Sequence, residues 1–187
     1  LTSQPALNSI VAALENSSRD TGMDPELLRI IFLCGFLGFG AKAAIFPLHL
    51  WLPTASVAPT PVTALLHAVA VVNTGFFSVT RLAWYAVGPE RIAGSWAQQV
   101  CLVICGVSMV FGAAQAIRQR RLKQRLAYST MSNLSYMIFG AMLLTPDGLQ
   151  GGLAHMLFHS LMKMTLFLCA GAVIHMSGRE FIHELNG

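Results

Sequence analysis

Five stretches of about 20 mainly apolar residues follow one another along this chain, at roughly 27–46, 62–84, 97–117, 124–144 and 149–175, with short polar turns between them. Twenty residues of helix rise about 30 Å, the thickness of a bilayer's hydrocarbon layer. Lipid offers no partner to backbone N–H and C=O groups, so helices are the natural way for such stretches to cross it. The pattern predicts an all-α, polytopic transmembrane helix bundle with about five membrane helices. Charge usage agrees: 11% of residues are charged and 55% hydrophobic, where soluble domains carry about 25% charge.

A net charge of +4 does not point to nucleic acid, because the basic residues gather in one run, Arg118-Gln-Arg-Arg-Leu-Lys-Gln-Arg125, between the third and fourth stretches. Lys and Arg concentrate in cytoplasmic loops. The run is therefore a topology signal, and alternation makes residues 1–26 an extracytoplasmic loop and residues 176–187 a cytoplasmic one, on either side of a 27–175 bundle. Residues 1–26 are polar, and Asp24-Pro25-Glu26 has the form of a helix start. Gly88-Pro89-Glu90-Arg91 and Pro146-Asp147-Gly148 read as surface turns. Cys34, Cys101, Cys105 and Cys169 lie in apolar surroundings without a CxxC pair. They read as small packing residues, and neither a metal site nor a haem or iron–sulfur cofactor is expected. The chain opens at Leu1 without a charged, apolar and small-residue leader pattern, as a fragment of a longer protein would.

Between the first two stretches lies Phe46-Pro-Leu-His-Leu-Trp-Leu-Pro-Thr-Ala-Ser-Val-Ala-Pro-Thr-Pro61. Four prolines in sixteen residues cannot continue one helix, so the first helix breaks near Pro47. Two readings stand open. Irregular backbone at membrane depth has to be buried in protein or line a hydrated cavity; alternatively the segment rests at the headgroups with Trp51 in the aromatic belt.

The residues that carry chemistry are ionisable groups inside apolar helices. Lys42 sits about fifteen residues into the first stretch with no acidic residue there to pair with it. An intramembrane lysine is costly, and the small residues around it favour a helix-packed position over one that snorkels to the headgroups. In the last stretch His155, His159 and Lys163 recur at i, i+4 and i+8. Each step of four rotates about 40° and rises about 6 Å, so all three share one stripe. Histidine exchanges protons near neutral pH, and a stripe of this kind is the geometry of a proton relay. His155 and His159 alone also suit a transition metal or a helix–helix hydrogen bond, but neither alternative accounts for Lys163. His67 opens the second stretch, with Asn73 six residues on; a lone histidine takes a role only through its neighbours. Tyr128, Ser129, Thr130, Ser132, Asn133, Ser135 and Tyr136 surround the start of the fourth stretch. They either hold water in a half-channel or tie helices together.

Taken together, Gly40-Ala-Lys-Ala-Ala-Ile-Phe-Pro-Leu-His-Leu-Trp-Leu-Pro53, Ala58-Pro-Thr-Pro-Val-Thr-Ala-Leu-Leu-His67, Arg125-Leu-Ala-Tyr-Ser-Thr-Met-Ser132 and the His155/His159/Lys163 helix resemble the antiporter-like subunits of respiratory complex I (NADH-quinone oxidoreductase), Mrp-type antiporters and membrane-bound hydrogenases. The resemblance runs from about residue 30 to the end. It implies part of an inverted-repeat fold, with Lys42 in a discontinuous helix and a polar axis through His67 to His155, His159 and Lys163. It implies translocation of protons, or of protons against Na+, within an assembly of other membrane subunits in the plasma membrane of a prokaryote, or else a scaffold role in such an assembly. It also implies that the glutamate paired with Lys42 and the second broken helix lie outside these residues. Two departures stand out. Asn73 occupies a position where many relatives carry lysine, and the basic run lacks the aspartate that often precedes the Tyr-Ser-Thr motif.

Overall fold

The computed structural model describes residues 24–56 and 58–185; the loop expected over residues 1–26 lies outside these except for its last three residues. Among the described residues five longer α-helical segments and three short ones make up the bundle: α1 Pro25–Lys42, α2 Trp51–Ala55, α3 Thr60–Leu65, α4 Val71–Arg81, α5 Pro89–Ile92, α6 Trp96–Arg118, α7 Leu122–Met142 and α8 Pro146–Ser177. Wide π-helical turns at Leu66–Ala70 and Leu82–Val87 extend α3 and α4 into one helical run from residue 60 to residue 87. Two helices, α6 and α8, are long and apolar enough to cross a membrane by length and composition. In α1, Glu26, Arg29 and Lys42 dilute the apolar run, and α7 begins within the basic cluster.

Local chemistry sets these boundaries. Asp24 caps α1, its carboxylate accepting from the Glu26 amide at 3.2 Å, with Pro25 at the first turn. Ser95 caps α6 and Thr145 caps α8 in the same way, and Gly178, at φ 68°, ends α8 in the left-handed conformation that glycine adopts without strain. A short bridge beyond α8 ties the C-terminal segment to the basic run, with the Ile182 amide donating to the Arg120 carbonyl at 2.9 Å and Leu122 donating to Glu180 at 3.2 Å.

The core is a layer of large side chains between α1, α4, α6 and α7: Phe32, Phe36, Phe76, Leu134, Met137 and Ile138 are fully enclosed, together with Cys101 and Cys105. Close helix approach depends on small residues. A Cβ on Gly75 would stand 2.5 Å from the Ala43 amide nitrogen, and one on Gly112 would stand 2.9 Å from that of Ser132. Helices in lipid meet through such residues because apolar contact alone does not favour protein over lipid.

The proline-rich segment is folded into this bundle. The last turn of α1 is closed by Ala44 at φ 57°, a conformation that costs a non-glycine residue about 1 kcal/mol and turns the chain back. Ala43, Ala44, Ile45 and Leu52 are buried, and the Trp51 indole donates to the Ala41 carbonyl at 2.8 Å. The Phe46 amide donates to Ser108 Oγ at 2.9 Å, and Ser108 lies midway along α6. Within the segment His49, Leu52, Pro53 and Ser56 are buried while Leu48 and Leu50 are exposed, so it packs against the bundle on one side.

Helix packing at the glycines is testable by paired substitutions. Gly75→Ala and Gly112→Ala force backbones apart and are expected to destabilise by about 1–3 kcal/mol, read as a lowered unfolding temperature of the purified membrane protein. Gly106, which faces open space, is expected to tolerate alanine with a gain of up to about 1 kcal/mol from helix propensity.

Candidate functional site

The stripe on α8 turns inward. His159 and Lys163 are each 1% exposed, while Leu157, Phe158 and Leu161 on the opposite face are exposed. The rings of His155 and His159 lie 6.2 Å apart, and Phe167 continues the stripe one turn beyond Lys163, fully buried. Thus the three groups marked by spacing are brought to one helix interface.

Their partners come from α7, packed antiparallel to α8. The Lys163 ammonium donates to Ser129 Oγ at 2.7 Å and to the Leu126 carbonyl at 3.3 Å. Among the described residues no carboxylate bonds to it. Removing an ion from water without an opposite charge costs several kcal/mol, and two oxygens offset only part of that. Four residues along α7, Asn133 donates from Nδ2 to the Ser129 carbonyl at 2.8 Å, which turns its Oδ1 toward His155 Nε2 at 3.1 Å. An amide oxygen only accepts, so His155 carries its hydrogen on Nε2 in this arrangement and leaves Nδ1 as an acceptor. Ser129 and Asn133 thus connect the two ends of the stripe. At its centre, neither ring nitrogen of His159 has a hydrogen-bond partner among the described residues. A neutral imidazole in that position keeps one donor and one acceptor free.

The remaining polar residues of α7 do other work. Ser132 donates to the Met109 carbonyl of α6 at 3.0 Å and so ties two helices. Thr130 and Ser135 donate to carbonyls of their own helix, and Tyr136 is exposed. Within this polar cluster Ser129 and Asn133 face α8, and Ser132 ties α7 to α6.

His67 approaches from the other side. It lies fully buried in the π-helical turn Leu66–Ala70, its ring 5.1 Å from that of Phe167. Such wide turns recur at functional sites because they displace one residue from the regular helical register. Nδ1 lies 3.0 Å from the Thr63 carbonyl and Nε2 lies 3.1 Å from the Leu52 carbonyl of the folded-in proline segment. Carbonyls only accept. Both contacts are hydrogen bonds at once only when both ring nitrogens carry hydrogens; a neutral ring satisfies one and turns a lone pair toward the other.

Asn73 joins this side to the stripe: its Nδ2 donates at 2.7 Å to Ser160 Oγ, on the residue next to His159. Lys42 stands apart. It is exposed at the end of α1 and has no hydrogen-bond or ion-pair partner among the described residues. Its neighbour Ala43 packs against Gly75, two residues beyond Asn73. Of the five residues marked by the sequence, four lie along α8 or face it, and Lys42 is separate. Among the described residues no group of three His, Cys, Asp or Glu side chains is placed to hold a metal ion. Sequence reasoning did not single out Ser129 and Asn133 as the partners of Lys163 and His155. Their place one helical turn apart, on one face of α7, was the available signal.

Comparison with known proteins places this geometry. The family described as "NADH:quinone oxidoreductase/Mrp antiporter, TM" matches residues 5–187. F(420)H(2) dehydrogenase subunit L of Methanosarcina mazei is 39% identical over 169 residues, covering 89% of this chain and 24% of the relative. NAD(P)H-quinone oxidoreductase chain 5 of Picosynechococcus is 42% identical over 159 residues, covering 83% and 22%. The chain thus spans about a quarter of the length of these curated relatives, and chloroplast relatives such as subunit 5 of Zea mays match to a similar degree, at 39% identity over 83% of the chain and 20% of the relative. Among solved structures, the Mrp complex from Dietzia superposes with a TM-score of 0.76 at 32% identity, covering 84% of this chain and 17% of that one. The archaeal membrane-bound sulfane sulfur reductase gives 0.80 at 26%, covering 90% and 34%. The chain belongs to the transmembrane family of NADH:quinone oxidoreductase and Mrp antiporter subunits.

Proposed function

We propose that this segment carries protons along the α7–α8 interface of a larger membrane complex, with Lys163 as the proton-storing group. The observation that carries the reading is the buried Lys163 ammonium held by a serine hydroxyl and a carbonyl without a carboxylate. A lone ionisable group is expensive in the interior of a membrane protein and marks a pathway by default. His159 and His155 follow it at one-turn intervals, with free nitrogens to take up and release a proton. His67 stands at the other end of the buried stripe, between the Thr63 and Leu52 carbonyls, and is the entry or exit station on that side. Lys42 is the outer station, paired with a group beyond the described residues.

The ion we propose is H+. The stripe presents nitrogen groups, whereas hard metal cations take cages of oxygen ligands; exchange against Na+ would draw on other parts of the protein. The topology we propose has five membrane spans, α1 to α8 forming parts of two inverted repeats, with the basic run and residues 176–187 on the cytoplasmic side. The C-terminal bridge to Arg120 and Leu122 supports placing those two segments at the same membrane face. The compartment we propose is the plasma membrane of a prokaryote, supported by the archaeal relative that aligns over 89% of the chain. The partners are the other membrane subunits of a complex I-like, Mrp-type or hydrogenase assembly, as the multi-subunit relatives support.

A second reading, a structural scaffold without transport of its own, is favoured by one observation. Asn73, which cannot store a proton, donates to Ser160 and ties α4 to α8 as packing glue would.

Two substitutions separate the readings when proton movement is measured in vesicles containing the intact complex. Ser129→Ala removes a hydrogen bond to a charged group, worth about 1.5–3 kcal/mol, and is expected to slow proton movement about tenfold or more while assembly holds. A scaffold predicts no change in transport beyond any loss of assembled complex. Lys42→Ala is expected to abolish most proton movement with the complex still assembled; full transport in that variant would remove Lys42 from the pathway.

A further inference from the structure

The basic run has structure beyond its role in topology. Two of its side chains are engaged: Lys123 donates to the Ala58 carbonyl at 3.3 Å, and the Arg121 guanidinium sits over the Phe181 ring at 5.5 Å from its centroid. The other three arginines, Arg118, Arg120 and Arg125, line one cleft together with Gln119, Ile117, Ile182 and His183. No carboxylate lines that cleft, and none of the three guanidinium groups has a hydrogen-bond or ion-pair partner among the described residues. The cleft is built from two distant parts of the chain: the bridge that joins the Ile182 amide to the Arg120 carbonyl holds the C-terminal segment against the α6–α7 turn.

Below the cleft α6 presents a continuous apolar ridge. Val103, Val110 and Ile117 recur every seven residues and are 65%, 72% and 74% exposed, with Val107 between them also exposed. A 23-residue helix is about 34 Å long, so a membrane-spanning α6 brings Arg118 to the headgroup level. Cationic cleft and apolar ridge thus meet at the depth where a phospholipid's phosphate joins its acyl chains.

We propose that this cleft binds the headgroup of an anionic phospholipid, with the acyl chains lying along the Val103–Ile117 ridge. Arginine presents a planar fork of N–H donors that matches phosphate oxygens in pairs. Three unpaired guanidinium groups without a competing carboxylate make a site for a phosphodiester, and the ridge selects a lipid over a soluble phosphate. Basic pockets at membrane faces bind anionic headgroups for the same reasons. The site does not touch the α7–α8 stripe and stands whether or not that stripe moves protons.

The test is photo-crosslinking of the intact complex in membranes with acyl-chain-labelled phosphatidylglycerol, against the same label on phosphatidylcholine, with the labelled peptides mapped by mass spectrometry. Phosphatidylglycerol is expected to label the 103–125 segment at least about tenfold more than phosphatidylcholine, and Arg118→Gln/Arg120→Gln/Arg125→Gln is expected to abolish the difference. Inorganic phosphate is expected not to compete. Equal labelling by the two lipids, undiminished labelling in the triple variant, or displacement by millimolar phosphate each overturns the proposal. If the triple variant does not assemble, the wild-type comparison of the two lipids and the phosphate competition still decide it.

Discussion

A lysine ammonium placed between α7 and α8, with no carboxylate among the described residues bonded to it, is the arrangement on which the rest of the site depends. Such a group has given up its hydration, and the helix that faces it has to supply oxygens at the right height. On α7 that requirement falls on Ser129 and the Leu126 carbonyl. Asn133, one turn along α7 from Ser129, meets His155, two turns back along α8 from Lys163. One electrostatic demand thereby orients a row of groups. Close backbone approach at Gly140, Gly148 and Gly152 fixes the same register near the α7–α8 turn.

A second constraint comes from the proline-rich segment. A chain that cannot continue as a helix exposes carbonyls, and at the middle of the bundle those carbonyls need partners within the protein. His67 answers the Leu52 carbonyl, Ser108 answers the Phe46 amide, and Trp51 answers the Ala41 carbonyl. The break is therefore what positions His67, and the π-helical turn is what lets His67 reach it. On the His67 side, the ring packs against Phe167, one turn beyond Lys163 on α8.

Much of this was legible in the sequence. Apolar lengths announced helices, and the recurrence of His155, His159 and Lys163 every four residues placed them on one face because helical geometry leaves little freedom there. Four prolines located the break. Legibility ended where geometry depends on a neighbour. Seven polar residues at the start of α7 face different directions, and only the rotation of α7 against α6 and α8 decides that Ser129 and Asn133 meet the stripe while Ser132 meets α6. Whether the proline segment lies on the surface or inside is likewise set by the small residues, Gly75 among them, that let it approach. Lys42 shows the opposite case. Its position in the sequence marks it, yet it lies exposed at the end of α1 with no hydrogen-bond or ion-pair partner among the described residues.

The claim that Lys163 stores the moving proton is tested most directly by Lys163→Met, a side chain of similar reach that can neither bind nor release a proton. Proton movement is measured in vesicles containing the complex, alongside a check that the complex is assembled. The account predicts an assembled complex in which proton movement is lost. An assembled Lys163→Met complex that moves protons at the unsubstituted rate would contradict it.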